Sequence, residues 1–267
     1  MVKRVGCFVY GLVCYACFFA TFLYAIGFVG NVAVPKAMDS GRTEPFPGAL
    51  LTNLGLLGLF AVQHSVMARR GFKRALTRVI PEAIERSTYV LASSLALILL
   101  FWQWRPMGGT VWEVEAPAVR LVLHAVCAAG WLTVLGSTFL INHFDLFGLR
   151  QVWLYLRGRP NTPLAFRTPG PYRLVRHPLY VGWLLAFWAT PTMTVAHLVF
   201  ALATTGYILA AIQLEERDLI VAHGDVYRRY RSRVPMLVPW SRPRGDVSAA
   251  EGVRSPEHAP TRDAMTT

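Results

Sequence analysis

Runs of apolar residues set the first expectation. A helix rises about 1.5 Å per residue, so about 20 consecutive apolar residues cross the hydrocarbon of a bilayer. Such runs occupy residues 5–29, with no charge inside, and 49–68, ending before Arg69-Arg70. Two more occupy 88–104, bounded by Arg86 and Arg105, and 121–141, opened by Arg120. A last run, 179–214, is interrupted at Thr190-Pro191-Thr192. As one helix it would reach about 54 Å, against about 30 Å of hydrocarbon. Proline has no backbone N–H and breaks helices, so the chain turns at Pro191. The pattern predicts an all-α, multi-pass membrane helix bundle of about four spans plus a C-terminal helical hairpin. The first arm of the hairpin is short and enters partway before the chain returns.

The first run follows Met1, Lys3 and Arg4, as the core of a signal peptide would. It is longer than such a core and lacks a clear small-residue cleavage site, which reads as a retained helix. Orientation follows from lysine and arginine in the loops. Loop 69–86 carries Arg69, Arg70, Lys73, Arg74, Arg78 and Arg86 against Glu82 and Glu85. Loop 142–176 carries Arg150, Arg157, Arg159, Arg167, Arg173 and Arg176 against Asp145. Loops 30–48 and 105–119 are nearly balanced. Both termini and the basic loops are therefore expected on the cytoplasmic side.

Composition agrees. The chain is 54% hydrophobic and 16% charged, below the about 25% charged residues of soluble domains. That excludes a disordered chain and argues against an ordinary soluble globule. A net charge of +12 would suit nucleic acid, but the cations are spread over membrane-flanking loops. Membrane lipids, not nucleic acid, are the expected surroundings. Cys14 and Cys17 form a CxxC inside the first run with no polar partner nearby. With Cys7 and Cys127 they read as small buried apolar residues, not a redox or zinc pair. No metal, nucleoside triphosphate or dinucleotide motif is present in the sequence. Residues 241–267 are Ser, Pro, Gly and charge, and read as a disordered tail behind a single domain over 1–240.

Polar chemistry gathers on one side of the bundle. RTPGPYRLVRHPLYV at 167–181 precedes the hairpin, and its prolines and glycine fix a non-helical backbone at the membrane surface. His177 and Tyr180 then stand at the mouth of the hairpin. Glu215-Glu216-Arg217-Asp218 ends its second arm, where acidic residues are costly unless they face water or a polar ligand. His223-Gly224-Asp225, Tyr227, Tyr230 and Val234-Pro235 follow. A hairpin returns to its starting face, so His177 and Glu216 converge although they lie 39 residues apart.

RHPLY at 176–180, EERDL at 215–219 and HGDVYRRYRSRVP at 223–235 resemble the C-terminal region of the isoprenylcysteine carboxyl methyltransferase and phospholipid methyltransferase superfamily. The resemblance covers roughly 167–239, and the ordered combination is far more specific than any one motif. It implies a cytoplasmic segment that binds S-adenosylmethionine through His177, Tyr180, Glu216, Tyr227 and Tyr230. It further implies Arg176 near the methionyl carboxylate and Glu215 as the register competitor of Glu216. QHSVMARRGFK at 63–73 and FLINHFDLFGLRQVWLYLRG at 139–158 narrow the resemblance to the methanethiol S-methyltransferases, membrane enzymes that form dimethyl sulfide. A bacterial inner membrane and a small volatile thiol substrate follow as implications of that resemblance.

The residues themselves allow such chemistry. An alkanethiol has a pKa of about 10, above the about 8.5 of cysteine, so a base helps form the thiolate at neutral pH. His64 lies at the cytoplasmic end of the second span, and His143 and Asp145 lie just past the fourth. Each is a candidate to take the thiol proton, and each has a plainer role: His64 at the interface, His143 capping a helix, Asp145 pairing with Arg150. His124 and His197 sit in apolar runs and read as packing or interface residues. The alternatives are a lipid or prenylcysteine carboxyl acceptor, or a membrane transporter or partner subunit without catalysis. A transporter is disfavoured by the few mid-span charges and the lack of a repeat.

Overall fold

A computed structural model describes residues 1–162 and 164–240. The expected tail, 241–267, lies outside the described residues. Helix α1 (Val2–Gly30) is followed by α2 (Phe46–Ala68), the short α3 (Arg70–Leu76) and α4 (Glu85–Gln103). After β1 (Thr110–Glu113) come α5 (Pro117–Ile141), α6 (His143–Leu146) and α7 (Leu149–Leu156). The chain continues through α8 (Pro178–Trp188), β2 (Thr192–Thr194), α9 (Val195–His223) and α10 (Asp225–Arg233). Among the described residues, five helical stretches are long and apolar enough to cross a membrane, and α8 is a shorter apolar helix. The all-α, multi-pass expectation therefore holds: four spans precede a hairpin with a short first arm.

Helix boundaries follow local chemistry. Pro117 opens α5 and Pro178 opens α8, each at a first-turn position where the missing N–H has no helical partner. Thr194 caps α9 by accepting from His197 N–H. In α1, Cys7, Gly11, Cys14 and Thr21 are buried at helical spacing. Cys14 thus faces the bundle, and all four cysteines are free.

The hairpin is where the sequence was least explicit. Helix α8 has 11 residues, only about 16 Å of rise. Extended residues follow it, and β2 pairs antiparallel with β1 beyond the end of α4. This small sheet supplies partners to backbone that would otherwise be stranded in hydrocarbon. Phe187 shows how fully this is arranged. The residue four ahead is Pro191, which has no N–H to give, and His197 Nε2 donates to the Phe187 carbonyl at 2.8 Å instead. The packing role expected for His197 is the observed one. Cys127 Sγ likewise reaches the Ala186 carbonyl, at 3.4 Å.

Helix α8 packs along α5 through two glycines. A Cβ on Gly182 would lie 2.8 Å from Gly130 O and 2.8 Å from Val134 N. A Cβ on Gly130 would lie 2.6 Å from Ala186 N. Backbone meets backbone here, which fixes the depth of α8 and of His177 at its start. From Val195, about 20 residues of α9 span the hydrocarbon, about 30 Å. That length ends at Glu215, on the same face as His177 and the basic loops.

Candidate functional site

The site begins with two backbone contacts. Arg176 N–H donates to Pro235 O at 2.8 Å, and His177 N–H to Met236 O at 3.2 Å. They lay the segment after α10 against the entrance of α8. Gly224 makes this return possible: its φ of 55° and ψ of −130° suit a residue without Cβ and turn α10 back beside α9.

Glu216 is the centre of the resulting ion cluster. Its side chain is 3% exposed. Oε1 accepts from Arg176 Nε at 2.6 Å and contacts His177 Nε2 at 3.1 Å. Oε2 lies 3.2 Å from Arg231 Nε. Arg176 also donates to the carbonyls of Val234 at 2.6 Å and Arg231 at 3.1 Å. Glu215 has a 3.9 Å contact with His177 Nδ1, faces the Tyr180 hydroxyl and has a side chain 45% exposed. The register between the two glutamates is thereby resolved into two environments. Glu216 binds the protein's own cations, and Glu215 keeps surface for a ligand.

An aromatic group stands beside the ions. Phe166 meets His223 at 5.1 Å, Tyr230 at 5.5 Å and Tyr227 at 5.8 Å between ring centroids. Burial pushes the Tyr230 hydroxyl up to about 12, so it stays protonated and donates to Tyr172 O at 2.6 Å. Burial also raises Tyr227, whose hydroxyl is buried without a hydrogen-bond partner among the described residues. Phe166 was not singled out from sequence, because it lies in an irregular stretch with no periodic signal.

A second polar group lies one to two helical turns inside the same face. Tyr89 Oη of α4 is 2.8 Å from His64 Nε2 and 3.1 Å from Nδ1, and Ser93 Oγ is 3.2 Å from Nδ1. Ser65 Oγ meets Tyr207 Oη at 3.2 Å. Tyr180, whose ring is 5.6 Å from that of His177, interacts with Glu215, Tyr207 and Tyr89. Helices α2, α4, α8 and α9 therefore all contribute. Of this group, sequence reasoning named His64, Tyr180 and Glu215 and missed Ser65, Tyr89, Ser93 and Tyr207. A signal was present: hydroxyl residues near the ends of apolar spans.

Among the described residues, His143 and Asp145 share no hydrogen bond or ion pair with either group. His143 is 2% exposed and stacks on Phe139 with centroids 4.1 Å apart. The Thr138 hydroxyl donates to Leu135 O at 2.6 Å, so its oxygen accepts from His143 Nδ1–H at 2.8 Å. Nε2 then accepts from the Tyr15 hydroxyl at 2.8 Å. Both ring nitrogens are thus engaged by Thr138 and Tyr15. Asp145 pairs with Arg150 at 3.0 Å and borders a cavity of about 200 Å³ with Glu82, Arg86 and Gln151. Arg150 in turn holds Asn161 and Thr162. Among the described residues no hydrogen bond or ion pair joins Asp145 to Glu216.

Burial lowers the His143 pKa below the ordinary imidazole value of 6.5. The folded state then binds fewer protons than the unfolded one, so its contribution to stability is full above pH 6.5 and declines as pH falls below it. The midpoint of thermal unfolding is expected to drop more between pH 7 and pH 5 in the wild type than in His143→Gln. Equal slopes would remove this role.

No protein-family profile matches the chain, and no solved structure matches it. Curated relatives do. The chain is 57% identical over 239 residues to a protein of Crocosphaera subtropica named methanethiol S-methyltransferase, covering 90% of this chain and 94% of that one. It is 56% identical over 239 residues to the methanethiol S-methyltransferase of Mycobacterium tuberculosis, covering 90% and 98%. Nurim of Sus scrofa is 33% identical over 192 residues, covering 67% and 71%.

Proposed function

The chain belongs to the family of the methanethiol S-methyltransferases, and on that premise we propose that it methylates methanethiol to dimethyl sulfide with S-adenosylmethionine as donor. The reaction takes place at the cytoplasmic face of a bacterial inner membrane, where the loops rich in arginine and lysine are retained. The observation that carries this reading is the ion cluster around Glu216, with Glu215 open beside it.

The residues present suit the donor. Its amino-acid end is a zwitterion, and the cluster offers both signs: Arg176 and Arg231 for a carboxylate, Glu215 and Glu216 for an ammonium group. Phe166, His223, Tyr227 and Tyr230 are a suitable wall for a purine, and the partnerless Tyr227 hydroxyl leaves a buried group for a ligand to satisfy. When bound, S-adenosylmethionine supplies an electrophilic methyl group on a sulfonium. The chain must bind it, keep water away and hold the thiol in line with the methyl. His177 and Tyr180, on successive sides of the entrance to α8, orient that approach. Asp145, through Arg150, holds the 161–162 loop, and His143 holds the end of α5. His64 is the proton acceptor, being the candidate that belongs to the group linked to Tyr180 and Glu215.

The test is a headspace assay on the purified protein in detergent with S-adenosylmethionine and methanethiol. The wild type is expected to release dimethyl sulfide, and Asp145→Ala to keep at least a tenth of that rate. Donor binding without any volatile sulfide would sink the acceptor and direct the search to lipid or prenylcysteine carboxyl groups. No donor binding would sink the whole reading.

A further inference from the structure

We propose that Tyr89 is the catalytic residue that meets the acceptor thiol, relaying its proton to His64. The proposal rests on the methyl-transfer reading above and adds the acceptor end of the site. Polar side chains inside an apolar span are costly and mark function. Here four helices bring them to one place, next to the proposed donor site. Tyr89, Tyr180 and Tyr207 are each only half-buried, so each keeps surface for a small ligand. Tyr180 and Glu215 join this group to the ion cluster.

The hydrogen bonds set the direction of the relay. Ser93 Oγ faces Nδ1 of His64 at 3.2 Å. With Nδ1–H on that oxygen, the Nε2 lone pair receives the Tyr89 O–H at 2.8 Å. The phenolic oxygen of Tyr89 then still has acceptor capacity, and an S–H group is the donor it suits. In the transfer, the S–H bond breaks and its electron pair forms the new S–C bond to the methyl. The old bond between methyl and sulfonium breaks with its pair left on the donor sulfur. The thiol proton passes to Tyr89 Oη, and the former phenolic proton passes to His64 Nε2, so Tyr89 ends neutral and His64 cationic. His64 returns the proton to water past Glu215. The titratable and charged groups facing Tyr89 are His64 from α2, Glu85 and Arg86 from its own helix, Tyr180 from α8, and Tyr207 and Glu215 from α9.

Tyr89→Phe tests the relay because it removes one oxygen and keeps the ring. At pH 7 its kcat/KM for methanethiol is expected to fall about 100-fold, the usual worth of a positioned proton-transfer group. Without the relay only thiolate formed in solution reacts, so the variant rate rises about tenfold per pH unit from 7 to 9, below the thiol pKa of about 10. The wild-type rate stays nearly level over that range. A fluorinated ethanethiol, which ionises more readily, recovers most of the lost rate. A second readout needs no turnover: titrating the donor-free protein with ethanethiol at pH 7 by calorimetry gives weaker binding in Tyr89→Phe than in the wild type, because the variant lacks the oxygen that accepts the S–H. S-adenosylmethionine affinity stays within twofold, which certifies the fold; should Tyr89→Phe not fold, His64→Gln reads the same pH slope. A variant profile parallel to the wild type, with ethanethiol affinity retained, overturns the relay and leaves the methyl-transfer reading standing. A wild type that binds the donor and methylates no thiol overturns both.

Discussion

Glu216→Ala is expected to reduce S-adenosylmethionine affinity by more than about 100-fold and to lower the midpoint of thermal unfolding. The carboxylate is 3% exposed and faces Arg176, itself 9% exposed, His177 and Arg231. Removing it leaves a buried guanidinium with no counter-charge, which costs about 3 kcal/mol or more. That cost falls on folding; the affinity loss follows from a charge-assisted hydrogen bond to the donor's ammonium group, worth about 1.5–3 kcal/mol, with each 1.36 kcal/mol a factor of ten. Glu215→Gln is the contrast. Its side chain is 45% exposed and its ion-pair contact with His177 is long, so stability stays within about 0.5 kcal/mol while donor affinity still falls. Equilibrium dialysis and thermal unfolding in detergent read the two quantities separately. Donor binding by Glu216→Ala within threefold of the wild type would contradict the assignment of the ion cluster.

Gly182→Val is expected to be as damaging, although it lies away from every charged group. Its new Cβ would sit 2.8 Å from Gly130 O and 2.8 Å from Val134 N. Both are backbone atoms and neither can rotate away. Overpacking of this kind costs about 1–3 kcal/mol, and the relief available is for α8 to move off α5. His177 and Tyr180 ride on that helix. A displacement of about 1 Å at a reacting group lowers rate by about 100-fold, so dimethyl sulfide production should fall at least that much. Gly136→Ala on α5 is the control, because nothing lies within 4 Å of its added Cβ. It should leave activity unchanged. Equal losses in the two variants would mean that the glycine contact does not position the site.

The two predictions also separate what could be read from the sequence. Glu216 was legible because an acidic pair ending an apolar run is chemically expensive and stands out against its neighbours. Its convergence with His177 followed from the length of the hairpin alone. Gly182 was not legible, since a glycine in an apolar helix looks the same whether it meets a backbone or a lipid tail. The sheet formed by β1 and β2 was hidden for a related reason: three to four residues carry no periodicity, and their pairing partner is about 80 positions away.

The amino-acid sequence by itself determined the membrane bundle, its spans, the turn at Pro191 and the residues that resemble a methyltransferase cofactor region. These depend on apolar length, on proline's missing donor and on motifs that are local in the chain. Only the tertiary structure decided which polar residues are engaged and which keep surface for a ligand. His143 and His64 are both histidines at the end of an apolar run. Both have their nitrogens hydrogen-bonded, His143 to Tyr15 and Thr138 within a packed stack, and His64 to Tyr89 and Ser93 within a group of hydroxyls beside Tyr180 and Glu215. The difference lies in what α1 and α4 bring opposite each ring, because a hydrogen bond depends on an atom's partner in space and not on its place in the chain.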